Sequence, residues 1–211
     1  MSEDGAAHTN RGSIAYYQPH QVSCFSGADK ERKLDYRAFE LTDATAVERL
    51  FVSVFSESEG EHEGALIGNL VEDMMASTDS RDLYGFVAVG EKRILGAIFF
   101  TRLTFDEDIN VFVMAPVAVR TDHQGMGIGQ ALITHGLREM EQKGVSYVTT
   151  YGDPSFYGKV GFQPISQDAI AAPLELSQPE GWLGQSLTED EIEAILGKPT
   201  CVKALNDPAY W

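Results

Sequence analysis

The chain has 211 residues, of which 43% are hydrophobic, and its formal net charge is −16. This length and composition predict one domain with a substantial core and an added tail. The negative charge argues against nucleic acid or an anionic membrane as a partner, because both bind basic surfaces. The sequence contains neither an apolar run of membrane-spanning length nor a signal peptide, so a cytoplasmic location is expected.

The first predicted elements are a tail, a strand and a helix. Residues 1–33 are predicted to be a polar, partly disordered tail that docks through Ile14–Tyr17. A strand is predicted for Leu34–Leu41, and Thr42 or Asp43 then caps a helix. The apolar face of this helix repeats at helical spacing, and its members are Val47, Leu50, Phe51, Val54 and Phe55.

An acidic segment is predicted to separate this helix from a second one. Glu57–Glu63 holds four glutamates and His62 and is predicted to be a loop. The residues that the second helix directs inward are Leu66, Ile67, Leu70, Val71, Met74 and Met75. Glu61–Glu63 has no companion cluster at metal-ligand spacing, so no metal site is predicted.

Three strands are predicted next. Tyr84–Val89 and Ile94–Phe105 flank the turn Gly90–Arg93 and should form an antiparallel hairpin. After a turn at Asp106–Asn110, the apolar and β-branched segment Val113–Val119 is predicted to be a buried strand. Its proline, Pro116, has no amide hydrogen and is expected to mark a bulge.

A glycine-rich loop follows this strand and leads directly into a helix. The loop places glycines at 125, 127 and 129, and the helix is predicted to end near Lys143–Gly144. A helix start leaves amide hydrogens unpaired, and the helix dipole favours an anion there, most often a phosphate. The sequence therefore predicts a phosphate-binding loop.

Two common phosphate loops do not match this segment. A Walker loop needs Gly-Lys-Ser/Thr at its end, whereas Gly129 is followed by Gln130 and Ala131. The dinucleotide fingerprint Gly-x-Gly-x-x-Gly fails from either Gly125 or Gly127, and this weakens the hypothesis of a nucleotide-dependent oxidoreductase.

The pattern that does match is Gln-x-x-Gly-x-Gly, at Gln124, Gly127 and Gly129. It resembles the pyrophosphate-binding signature of the GCN5-related N-acetyltransferases (GNAT). A second motif, Gly152–Phe162, resembles the tyrosine-containing short helix and Gly-Phe pair of that family, with Tyr157 four residues before Gly161. Its Gly-Asp-Pro start is similar to one bacterial branch of N-acetyltransferases. The resemblance covers about 34–164.

The resemblance implies a mixed α/β fold in which helices flank a mostly antiparallel central sheet. It also implies acetyl-CoA as cosubstrate and transfer of the acetyl group to a primary amine. Residues 34–165 would form the acetyl-CoA-binding core. Beyond the resemblance, the sequence itself predicts that residues 166–211 complete the same domain with strands at Ala172–Leu176 and Thr200–Ala204 and a helix at Thr188–Leu196. Thr188 and Glu191 form a capping-box pattern for that helix.

Roles for individual residues also follow from the resemblance. The loop would hold the cofactor pyrophosphate through backbone amides, and an amide of the fourth strand would stabilise the oxyanion. The residues implied in cofactor binding are Val117, Ala118, Val119, Gln124, Gly125, Met126, Gly127, Ile128, Gly129 and Gln130. Tyr157 would protonate the leaving thiolate, because a phenol has a pKa of about 10 and a thiol about 8.5. Alternatively, Tyr157 packs against the cofactor.

The sequence leaves the general base open. The family often uses a glutamate on or near the fourth strand, but 110–119 contains no acid. Candidates for the base are Glu57, Glu59, Glu61, Glu63, His62 and Asp153. With no cysteine at the motif positions, direct attack in a ternary complex is expected. The alternative is an acyl-CoA sensor without catalysis.

The expected acceptor is a small-molecule or peptide amine, positively charged because the family places the acidic segment at the rim of the acceptor site. A homodimer is compatible with the resemblance. His123 adjoins the phosphate loop but is expected to be exposed, and His135 is expected to be structural.

Overall fold

An eight-stranded sheet with helices on both faces is the framework of the chain. The structure is a computed structural model that describes residues 34–211, so the predicted tail and its docking segment Ile14–Tyr17 lie outside the described residues. The strands are β1 Asp35–Ala38, β2 Leu83–Gly90, β3 Arg93–Thr104, β4 Val111–Val119, β5 Tyr147–Tyr151, β6 Gln163–Pro164, β7 Trp182–Ser186 and β8 Thr200–Cys201. The α-helices are α1 Ala44–Glu59, α2 Glu61–Ser77, α3 Ile128–Gln142 and α4 Pro154–Tyr157.

The strand order is β1-β2-β3-β4-β5-β7-β6, and β8 pairs with β3. Only β4 and β5 are parallel among the described pairs, which confirms the mixed, mostly antiparallel sheet. The predicted β2–β3 hairpin is confirmed, and its turn residues Glu91 and Lys92 have φ of 52° and 63°. Two consecutive positive φ values match the right-handed twist of the flanking strands.

Each face of the sheet has its own hydrophobic core, because successive strand residues point to opposite faces. Ala97 and Phe99 of β3 pack on the side of α1 and α2, whereas Ile98 and Phe100 pack under α3. The predicted apolar face of α1 is confirmed, since all five of its residues are buried. Of the helices at 34–211, none combines the length and apolarity needed to cross a bilayer.

The prediction of an acidic loop at Glu57–Glu63 is wrong. Helix α1 continues through Glu59 and α2 begins at Glu61, so Gly60 alone separates them. Gly60 has φ of 104°, a conformation that residues with a Cβ rarely adopt. The glutamates therefore lie on the adjoining ends of two helices.

Two predictions for the C-terminal segment are also wrong. No strand forms at Ala172–Leu176, where Pro173 cannot donate to a ladder. No helix forms at Thr188–Leu196, because its amides bond to tertiary partners. The Glu193 amide donates to the Tyr147 hydroxyl and the Ile195 amide to the Ala169 carbonyl.

The structure adds a strand, β7, that the sequence pattern does not indicate. Its first three residues are buried, so the apolar alternation typical of a half-exposed strand is missing. At its centre, a Cβ on Gly184 would come within 2.8 Å of Ile165 Cδ1. Of the predicted Thr200–Ala204 strand, only Thr200–Cys201 forms, as β8.

Candidate functional site

Strands β4 and β5 pair at one end of β4 and separate before β4 reaches the glycine loop. They pair only over Val111–Val113 of β4, and residues 114–119 continue beside β3 alone. We call the opening between residues 114–119 and the end of β5 the fork. Strand amides point alternately to the two sides, so the side of β4 that faces the fork presents amides and carbonyls that no described strand pairs with.

Two local features set the geometry of the fork. The β3–β4 register shifts between Ile98 and Phe100, opposite Ala115 and Pro116, so the expected bulge at Pro116 is confirmed. Thr150 of β5 donates its hydroxyl to the Met114 carbonyl at 2.9 Å and so links the strands where they diverge. Sequence reasoning missed Thr150, whose position carries no motif.

The glycine loop lies at the open end of the fork. Gly125 and Gly127 have φ of 74° and 79°, and Gly127 is the N-cap of α3. The helix ladder begins with the Ala131 amide, which donates to the Gly127 carbonyl at 3.0 Å. The amides of 128–130 therefore have no partner in the helix and, with the dipole of α3, favour an anion.

A cavity of about 190 Å³ lies against this loop. Seven of the ten predicted cofactor-binding residues line it, namely Val119, Gln124, Gly125, Gly127, Ile128, Gly129 and Gln130. Met126 is 64% exposed and does not line it. Val117 and Ala118 lie on the fork segment of β4. His123, Phe156 and Lys159 complete the lining. Phe156 and Lys159 lie within the Gly152–Phe162 motif, but the resemblance assigned neither of them a role.

Side chains fix the loop against the end of β4. The Gln124 side chain donates to the Val119 carbonyl at 3.0 Å, which gives the first motif residue a structural task. Contrary to expectation, His123 is buried, and its Nδ1 lies 2.7 Å from Asp122 Oδ1. Hydrogen bonds from Arg120 and then His123 lower the pKa of Asp122 to about 2.

Tyr157 lies at the end of α4 and is 2% exposed. Its ring contacts Phe156 and Phe162 edge-on, with centroids 5.0 and 5.9 Å away. A Cβ on Gly129 would lie 3.5 Å from Phe156 Cζ, so the neighbour of Tyr157 contacts the start of α3. This packing places α4 beside the loop.

The base candidates differ in their surroundings. Asp153 accepts from the Ser155 amide at 2.8 Å and caps α4, which is a structural task. Glu57 accepts from Ser53 at 2.9 Å, and hydrogen bonds from Thr121 and Ser53 lower its pKa. Burial, followed by the charge of Glu59, raises the pKa of Glu63. Glu63 Oε1 is buried without a hydrogen-bond partner among the described residues.

Comparisons with known proteins agree with this geometry. A family model described as Acetyltransferase (GNAT) domain matches residues 81–164. The chain is 31% identical over 153 residues to the uncharacterised N-acetyltransferase YjhQ of Escherichia coli K12, an alignment that covers 70% of this chain and 81% of YjhQ. The chain belongs to the GNAT family of N-acetyltransferases.

Solved structures share the fold of this GNAT chain. The Escherichia coli GNAT N-acetyltransferase YhbS, crystallised with CoA, has a TM-score of 0.73 at 22% identity, covering 86% of this chain and 97% of that one. A GNAT acetyltransferase from Brucella melitensis in complex with acetyl-CoA has a TM-score of 0.65 at 20% identity, covering 83% of this chain and all of that one.

Proposed function

We propose that this chain is a cytoplasmic enzyme that transfers the acetyl group of acetyl-CoA to a primary amine by direct attack in a ternary complex. The main support for the proposal is the fork, which opens beside a loop whose amides have no hydrogen-bond partner in helix α3. YhbS and the Brucella melitensis protein were crystallised with CoA and acetyl-CoA, respectively, which supports acetyl-CoA as the ligand here.

The loop and the fork hold different parts of the cosubstrate. The pyrophosphate accepts hydrogen bonds from the amides of 125–130, and Lys159 adds a positive charge at the cavity wall. The pantetheine arm lies in the fork, along the side of β4 that β5 leaves uncovered. An amide of Val117–Val119 then donates to the thioester oxygen as it becomes an oxyanion.

Proton transfers complete the reaction. The amine must lose a proton before or during its attack on the thioester carbon, and the thiolate of CoA must gain one as the carbon–sulfur bond breaks. Tyr157 donates the second proton. The alternative, an acyl-CoA sensor without catalysis, requires neither step.

A calorimetric titration tests the ligand assignment. The parent protein is titrated with acetyl-CoA and, separately, with NAD. Binding of acetyl-CoA alone supports the proposal, whereas binding of NAD alone would favour a dinucleotide enzyme.

Glu63 is the base candidate whose surroundings fit the role best, because a raised pKa brings a carboxylate closer to neutral pH. Glu63→Gln keeps the shape and removes the base, so kcat should fall about 10²-fold or more. In the parent, kcat/KM should decrease as the pH falls through the raised pKa. This limb should be absent from the pH profile of the variant.

The matched control is Glu72→Gln, which removes an exposed glutamate of the same helix. It should retain kcat. Equal kcat in Glu63→Gln and the control, with the acidic limb intact in both, would assign the base to another group.

We propose a positively charged acceptor, because glutamates cluster at the junction of α1 and α2. Glu59 and Glu61 directly flank Gly60 at this junction, so they are the pair to replace. The variant Glu59→Gln/Glu61→Gln should raise the acceptor KM and flatten its dependence on salt.

The control for this variant is Glu180→Gln/Glu189→Gln, which removes the same charge from exposed positions elsewhere in the chain. A KM that changes equally in both variants would mean that the junction has no specific role in acceptor choice.

A further inference from the structure

A second, larger cavity lies on the other side of the turn that precedes the glycine loop. Its volume is about 680 Å³, and it is bounded by α1, the β2–β3 turn and residues 120–122. We call it the basic groove, because four cationic side chains line it: Arg49, Lys92, Arg93 and Arg120. Such a concentration of cations is unexpected in a chain with a net charge of −16.

The cations of the groove exceed its anions. Two carboxylates line it, Glu57 and Asp122, and Asp122 is paired with Arg120 at 3.0 Å. Among the residues that the structure describes, the carboxylate that Arg93 contacts is Glu91, at a long distance of 3.8 Å. Within residues 34–211, no ion pair or hydrogen bond engages the side chains of Arg49 and Lys92.

The floor of the groove is apolar. Leu50 and Val54 of α1 are 6% and 3% exposed and line it together with Ile94. An apolar floor beneath charged walls suits an organic molecule that carries a charged group. The volume is within the range of small-molecule sites.

We propose that the basic groove binds the phosphate monoester of an organic ligand. A phosphate monoester carries close to two negative charges at neutral pH, so several cations can engage it at once. Arginine is suited to this task because its planar guanidinium pairs with two phosphate oxygens.

The phosphate can come from two sources. One is the 3′-phosphate of CoA, since only the turn Thr121–His123 separates the groove from the loop cavity. This source rests on the proposed function. The other source is a separate phosphorylated ligand, and its binding would be independent of the proposed function.

The test compares two variants that remove the same charge. Arg49→Gln/Arg93→Gln depletes the groove, whereas Arg138→Gln/Lys198→Gln removes two exposed cations that do not line it. In the first arm, calorimetry measures the affinities of the parent and both variants for CoA and 3′-dephospho-CoA. In the second arm, NMR follows adenosine 3′-monophosphate added to CoA-saturated protein.

If the groove holds the 3′-phosphate, CoA should bind the parent and the control about tenfold more tightly than 3′-dephospho-CoA, and this preference should vanish in the groove variant. If the ligand is separate, the preference should not change, and adenosine 3′-monophosphate should bind the parent and the control but not the groove variant. The proposal would be overturned if the groove variant and the control had equal affinities for CoA, for 3′-dephospho-CoA and for adenosine 3′-monophosphate. If CoA does not bind at all, the second arm is run without it, so the failure of the proposed function is recognised separately.

Discussion

Replacement of Gly127 by aspartate should lower the affinity for acetyl-CoA at least 100-fold, because the new carboxylate would lie beside the pyrophosphate. No atom lies within 4 Å of the Cβ position at Gly127, so the side chain would enter open space at the loop. Two anions about 4 Å apart repel by about 4 kcal/mol at an effective dielectric constant of about 20, which is more than the 1.4 kcal/mol of a tenfold change.

Two controls separate charge from backbone strain. Gly127→Asn has the same shape without the charge, and asparagine tolerates positive φ. Gly144→Asp places the same carboxylate at φ of 73°, also in open space, beyond the far end of α3.

Calorimetry should show strong binding for Gly144→Asp, an intermediate affinity for Gly127→Asn and almost none for Gly127→Asp. The two aspartate variants should lose similar amounts of thermal stability. Unchanged affinity in Gly127→Asp would exclude the loop as the pyrophosphate site.

Replacement of Tyr157 by phenylalanine should lower turnover about 10²-fold or more while acetyl-CoA affinity stays nearly constant. The ring contacts with Phe156 and Phe162 do not involve the hydroxyl, so the variant keeps this packing. The substitution keeps the ring and removes the hydroxyl that we propose protonates the leaving thiolate.

Tyr151→Phe is the matched control, because Tyr151 is also buried and its hydroxyl accepts from the Gln178 amide at 2.7 Å. This variant should lose stability but retain turnover. Stopped-flow and steady-state assays with the same amine provide the comparison. If Tyr157→Phe turns over at the parent rate, Tyr157 has only a packing role.

Local patterns predicted the helices that bury one apolar stripe and the hairpin around Glu91 and Lys92. They failed where distant contacts decide the structure. The Thr188–Leu196 segment has a helical capping pattern, yet its amides bond to Tyr147 and Ala169. Strand β7 lacks the alternation of apolar and polar residues because the sheet and the C-terminal segment bury it.

The same distinction applies to the candidate site: local sequence patterns predicted one part of it, and distant contacts determine the rest. The glycine loop was predictable because its amides and its positive-φ glycines, Gly125 and Gly127, lie within one short stretch of sequence. Lys159 and Phe156 reach the loop from α4 and its following turn, and the basic groove combines residues from α1, a hairpin and a turn. Such sets have no common spacing in the sequence, so only the fold brings them together.

Release of CoA from acetyl-CoA in the presence of a panel of amines is the most direct measurement of acetyl transfer by this chain. The panel should include polyamines, amino acids, aminoglycosides and peptides, each assayed with mass detection of the acetylated product. At least one cationic amine should be acetylated, with intersecting initial-rate lines typical of a ternary complex. Tight binding of acetyl-CoA without acetylation of any amine would contradict the proposed function and would indicate an acyl-CoA sensor.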